Sequence, residues 1–169
     1  ATIGEESSKE KAKSKITEIL IGLGLIEIST YHLIKENEVK LSKLDKKDLI
    51  ELQDSKTEYK ILRPNLLIPM LRVLSENKDN EYPQNLFEIG TTFKKDKTGK
   101  TETLVAEQNS LIIALSPGNF TKAKQVLDYL TKMLSTEYKL EETTHPQLID
   151  GRTGKIILDG KEIGHMGEV

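Results

Sequence analysis

The residue types that could carry catalysis or hold a metal are few and scattered in this chain. His32, His145 and His165 stand far apart, and no pair has the H-x-x-x-H spacing that puts two imidazoles on one helix face. Each reads as a strand, loop or surface histidine. Cysteine is absent, which removes disulfides and thiolate metal ligands and suits an intracellular protein. No serine sits in a G-x-S-x-G elbow. Gly22-x-Gly24 lacks the third glycine of a dinucleotide loop, and it closes a helical pattern instead of opening one. Gly164-His165-Met166-Gly167 falls in a hairpin strand, where close backbone approach is the simpler account. Lys94, Lys95, Lys97 and Lys100 cluster at a polar turn and could touch a phosphate backbone, although such a run also suits a solvated edge.

The elements that would position these groups belong to a chain of 169 residues, enough for one domain with a real core. We therefore expect a single domain over residues 1–169. Hydrophobic residues make up 36% and charged residues 31%, so the surface is generously charged. Lys+Arg 25 against Asp+Glu 27 leaves −2, and no global field draws nucleic acid. The N-terminal apolar run, residues 19–26, is broken by two glycines and too short for a bilayer, and it lacks the layout of a signal peptide. Ala1 as the first residue and Val169 inside a strand-like run suggest a piece of a longer protein.

Residues 61–96 organise the rest. They read as a strand end, an apolar helix, a turn and a second strand. Leu67, Met70, Leu71 and Leu74 recur at the helical spacing, and Pro69 fits only near the helix start. After turn signals at Asp79-Asn80 and Tyr82-Pro83, Phe87, Ile89 and Phe93 form the apolar face of a strand. Upstream, residues 5–23 form an amphipathic helix with the stripe Ile16, Ile19, Leu20 and Leu23, capped by Ser7 or Ser8. A strand over 25–34 follows, then a charged connection or short helix anchored by Val39, Leu41 and Leu44, then a short strand at 49–52.

Downstream, residues 96–100 make a polar turn, and 111–115 a short apolar strand of the kind covered on both faces. Asn119 or Thr121 caps a helix to about 134, striped by Ala123, Val126, Leu127, Leu130, Met133 and Leu134. A strand at 138–142 precedes a hairpin, 155–158 and 161–166, joined by Asp159-Gly160 in a type I′ turn. The order predicts an α+β fold, a mixed and mostly antiparallel sheet flanked by helices.

The run LRPNLLIPMLRVLSENKDNEYPQNLFEIG, residues 62–90, resembles the β subunit of archaeal and eukaryotic phenylalanyl-tRNA synthetase. More closely, it is similar to that subunit's class II aminoacyl-tRNA synthetase-like core domain, which keeps the catalytic fold without catalysing. The resemblance covers most of the chain from about Lys15 onward; the Asn-Pro common in the family near Asp54-Ser55 is missing. It implies that the long helix feeding a strand corresponds to motif 1, the dimer-forming element of the class. Ile16, Ile19, Leu20, Leu23, Leu25 and Tyr31 then become candidates for an interface with the catalytic α subunit, where an obligate contact would bury upwards of about 2,000 Å². The same helix also suits plain packing on its own sheet.

Relatives resembling the histidyl enzyme carry Leu-Arg-Pro-Glu, whose carboxylate helps hold the amino acid; here the run is Leu62-Arg63-Pro64-Asn65. Where such enzymes carry Phe-Arg-x-Glu and grip the α-phosphate of ATP, this chain has Phe93-Lys94-Lys95-Asp96. Lysine is a point charge on a flexible stem and offers no planar two-point fork. A counterpart of motif 3 is absent before residue 169. Arg63, Asn65, Lys94 and Asp96 are thus read as degenerate motif positions, with no catalytic residue, metal or cofactor in this domain. ATP, magnesium and tRNA belong to the whole cytoplasmic enzyme, and no membrane is involved. Two other classes stay open: an active class II-type amino-acid ligase, which needs an arginine at Lys94, and an RNA-binding or assembly module, which needs a clustered basic surface. A pocket in which a guanidinium and a carboxylate converge on the nucleotide's place would contradict the non-catalytic reading.

Overall fold

A computed structural model describes residues 4–41, 45–99 and 101–169, leaving Leu44, Lys100 and the side chain of Leu41 outside the described residues. The chain divides into two compact units. Unit 1 holds residues 1–27, 83–86 and 115–169; unit 2 holds 28–82 and 87–114.

In unit 1, helix α1 (Ser8–Gly22) starts at Ser7, whose side chain accepts the N–H of Glu10 and satisfies one of the orphan donors of the first turn. Leu20 is fully buried, and Leu25 and Leu130 are buried in the same unit. Burial of such an aliphatic side chain contributes roughly 1.5–3 kcal/mol. Ile16, Ile19 and Leu23 are only half-buried, and Ile21 stays exposed. Helix α4 (Phe120–Met133) begins as expected at Asn119, which accepts the N–H of Lys122, and it packs against α1. Strands β6 (Tyr138–Glu142), β7 (Thr153–Leu158) and β8 (Lys161–Gly167) form an antiparallel sheet in that order. The β7–β8 turn is the expected one, with Asp159 at φ 49° and Gly160 at φ 74°.

Unit 2 departs further from expectation. The single strand read over 25–34 is two short pieces, β1 (Ile26–Glu27) at the end of a unit 1 segment and β2 (Leu33–Lys35) in unit 2, with 28–32 between them outside any strand. β2 pairs antiparallel with β3 (Tyr59–Leu62). Residues 49–52 give only a bridge from Glu51 to Ile61. Helix α2 (Glu36–Leu41) carries Val39 into a core of Ile34, Val39, Ile61 and Ile68, with Leu49 packed on it.

Helix α3 (Leu67–Glu76) buries Ile68, Pro69 and Met70, while Leu67, Leu71 and Leu74 are half-buried. Its covered face is therefore rotated toward the first turn, because Ile68 joins the unit 2 core. Strand β4 (Gln84–Lys95) and strand β5 (Val105–Ser116) are each 12 residues and neighbours in one sheet. Leu86, Phe87 and Glu88 are consecutive and all buried, so this part of β4 is covered on both faces instead of presenting one apolar face. β5 is the reverse case: none of its residues is buried, although 111–115 read as a strand covered on both sides. Among the described residues, no helix is long and apolar enough to cross a membrane.

Candidate functional site

The buried charged pair in unit 2 joins Arg63, at 1% exposure, to Glu88 at 2%. Arg63 leaves β3 just before the turn into α3, so its side chain is thrown across β4. Its Nη1 donates to Glu88 Oε1 at 2.8 Å, to Thr30 Oγ1 at 2.7 Å and to the Thr30 carbonyl at 3.2 Å. Its Nε donates to the Thr91 carbonyl at 2.8 Å. Glu88 in turn accepts the Thr30 hydroxyl at 2.6 Å and the Thr30 N–H at 3.2 Å.

Gly90 makes room for this cluster: a Cβ there would collide with Arg63 Nη2 and with Glu88 Oε1. The Arg63 main chain is held as well, its N–H donating to the His32 carbonyl at 2.9 Å and its carbonyl accepting from Phe93 at 3.0 Å. A guanidinium and a carboxylate do converge, but on each other. They leave no space for a ligand between them.

Asn65 and Asp96 are likewise engaged within the chain. Asn65 Oδ1 accepts the N–H groups of Leu67 at 3.1 Å and Ile68 at 3.3 Å, satisfying orphan donors of the first turn of α3. Asp96 closes the β4–β5 turn, accepting the hydroxyl and N–H of Thr98 and those of Thr101, all between 2.6 and 3.0 Å. The Thr98 hydroxyl and N–H, with Thr101, hold its carboxyl well below the usual range.

Lys94 is exposed and lines a cleft of about 320 Å³ with Asp45, Asp48, Leu49, Pro64, Lys95 and Lys97. The cations of that cleft are largely engaged: Lys97 pairs with Asp48 at 3.0 Å, and Lys95 Nζ donates to the Lys47 carbonyl at 2.6 Å. Lys97 holds the Asp48 carboxyl below its ordinary value. Among its lining residues there is no arginine.

The interface candidates separate on burial. Leu20 and Leu25 are covered by the chain itself, which withdraws them as partner contacts. Ile16, Ile19 and Leu23 offer half-buried surface in unit 1, where the exposed Ile21 and Ile26 are apolar neighbours that periodicity alone did not single out. In unit 2, Tyr31 is 60% exposed and meets Tyr59 edge-on, at 5.8 Å between ring centres. Tyr59 is itself flanked by Lys35 Nζ at 4.7 Å and the Arg72 guanidinium at 5.4 Å, and Glu38 holds Arg72 through two hydrogen bonds.

Of the histidines, His32 packs on Phe93, and His145 lies 5.0 Å from His165 ring to ring. Partial burial, with the neighbouring His165, pushes the His145 imidazole below its ordinary value. No group of three or more metal-ligating side chains occurs among the described residues.

Glu88, Thr30 and Gly90 escaped the sequence reading. The signal was a carboxylate flanked by Phe87 and Ile89 in an apolar run, an arrangement that calls for a buried partner.

The α+β layout with helices against small, antiparallel-paired sheets is that of a class II aminoacyl-tRNA synthetase-like domain. Two solved structures of pyrrolysyl-tRNA synthetase from Desulfitobacterium hafniense share the fold, at TM-scores of 0.70 and 0.71 and 18% and 17% identity. Each match covers 92% of this chain, and 56% and 57% of those chains. A family model described as the phenylalanyl tRNA synthetase beta chain CLM domain matches residues 1–169, and the chain belongs to that family. Among curated relatives, the phenylalanine–tRNA ligase β subunits of Pyrococcus abyssi and Methanocaldococcus jannaschii are 36% and 34% identical, over 91% and 99% of this chain. The chain spans 28% and 31% of their lengths.

Proposed function

We propose that this chain is a non-catalytic structural domain of a phenylalanine–tRNA ligase β subunit, pairing with the catalytic α subunit of the enzyme that attaches phenylalanine to its tRNA. ATP and magnesium serve the whole enzyme, tRNA is engaged by the whole complex, and the complex works in the cytoplasm. The observation that carries this reading is the fate of Arg63. The arginine next to the motif-like helix is fully buried on Glu88, Thr30 and Thr91, while the position that would grip a phosphate is Lys94. A guanidinium spent on internal acceptors cannot be offered to a nucleotide, and a lone lysine cannot replace its fork. The partner-facing candidates are Tyr31 in unit 2 and, separately, Ile16, Ile19 and Leu23 in unit 1. The test is titration calorimetry of the chain with ATP-Mg and phenylalanine, alongside co-purification with the α subunit. No heat from either small molecule and retention of the α subunit are expected. Adenylate formation by the chain alone would overturn the reading.

A further inference from the structure

Segment 28–32 is held in an unusual way. It lies outside any strand, yet its backbone is fixed at three points: the Ile28 N–H on the Phe87 carbonyl at 2.9 Å, the Thr30 N–H on Glu88, and the His32 carbonyl on the Arg63 N–H. The centre of the segment is therefore clamped by side chains instead of by a ladder. Thr30 is the focus: its N–H, hydroxyl and carbonyl are all bonded to Arg63 or Glu88, at 2.6–3.2 Å. The next residue is Tyr31, exposed and resting on Tyr59, whose ring is in turn flanked by Lys35 and Arg72.

We infer that Arg63 and Glu88 are positioning residues for docking: their buried pair sets the conformation in which Tyr31 is presented to the partner, without touching the partner. A buried ion pair is weak evidence for stability, since apolar groups of similar volume often stabilise as well or better. What the pair supplies that an apolar plug cannot is direction. Four hydrogen bonds converge on Thr30, and all of them vanish if it turns. Gly90 fits the same account, because any side chain there would displace the guanidinium from its acceptors. The inference rests on the α-subunit pairing proposed above and specifies how this chain prepares for it.

Stability and docking should therefore come apart. Two variants weaken the clamp: the double substitution Arg63→Met with Glu88→Leu, which removes both charges together, and Thr30→Val, which removes the two hydrogen bonds through the hydroxyl. Three quantities are measured on the chain: the melting temperature, hydrogen exchange at residues 28–32, and the dissociation constant for the α subunit. For the double variant we expect a nearly unchanged melting temperature, and for both variants exchange at 28–32 faster by about tenfold and α-subunit affinity lower by about fivefold. Thr30→Ser, which keeps the hydroxyl, should restore both. Tyr31→Ala is the control for the underlying reading. If it leaves α-subunit affinity unchanged, Tyr31 does not dock and the inference falls, whereas failure of the parent chain to bind the α subunit at all overturns the pairing itself. If Tyr31→Ala weakens pairing while Thr30→Val and the double variant bind as tightly as the parent, the inference alone is overturned. Unchanged exchange at 28–32 in both clamp variants overturns it as well.

Discussion

Two charged regions of unit 2 differ in what holds their charge. Around Arg63 the charge is buried, shared over several acceptors and turned into scaffolding. Around Lys94 the charges stay in water, in a cleft where Lys97 and Asp48 pair at 79% and 64% side-chain exposure. The contrast shows two settings for a cation in one fold. A guanidinium can be buried against internal acceptors, or an ammonium can stay flexible and solvated at a surface turn. The first setting makes each buried charge depend on its partner. The second leaves the cation free to vary.

That difference is testable by substitution. Arg63→Ala or Glu88→Ala alone leaves the other charge buried without its partner, and should cost about 3–5 kcal/mol in chemical denaturation. A loss below about 1 kcal/mol, the scale of exposed pairs, would erase the contrast. Gly90→Ala should follow at about 1–3 kcal/mol, because the added methyl overfills the space held by the guanidinium.

Asn65→Ala should cost about 0.5–2 kcal/mol through the lost cap, and Asn65→Asp should retain most of it, since a carboxylate caps too. The smallest effects belong to the cleft. Lys97→Ala should leave the melting temperature within error, and its pair with Asp48 should vanish by about 1 M salt, where screening reaches about 3 Å. Folded Asp48 has a depressed pKa, so its contribution is present above the ordinary carboxylate range and is lost as pH falls through the lowered folded value. Denaturation of the Lys97→Ala variant across that acid range should show this part of the pH dependence removed. The Arg63–Glu88 contribution should be insensitive to salt throughout.

Much of the secondary structure was legible because its causes are local. The capped helices α1 and α4, the strand β6 and the Asp159-Gly160 hairpin follow from periodicity, a side-chain cap, or two adjacent residues that accept positive φ. Where neighbours far along the chain decide, local pattern misleads. Residues 25–34 alternate like a strand, yet side chains from positions 63 and 88 hold the middle of that run. The strand segment that begins at Leu111 is the opposite case, for residues 111–115 are apolar enough to be covered but none is buried by this chain. The substituted motif positions were visible as residue types. What each had become was not.

The sequence by itself determined that position 94 offers a lysine's point charge and not an arginine's planar fork, because side-chain chemistry is carried by identity alone. Only the tertiary structure decided that Arg63 faces inward, since a guanidinium serves whichever acceptors the fold brings within about 3 Å of it. Those acceptors, on Thr30, Glu88 and Thr91, lie 33, 25 and 28 residues away in the chain.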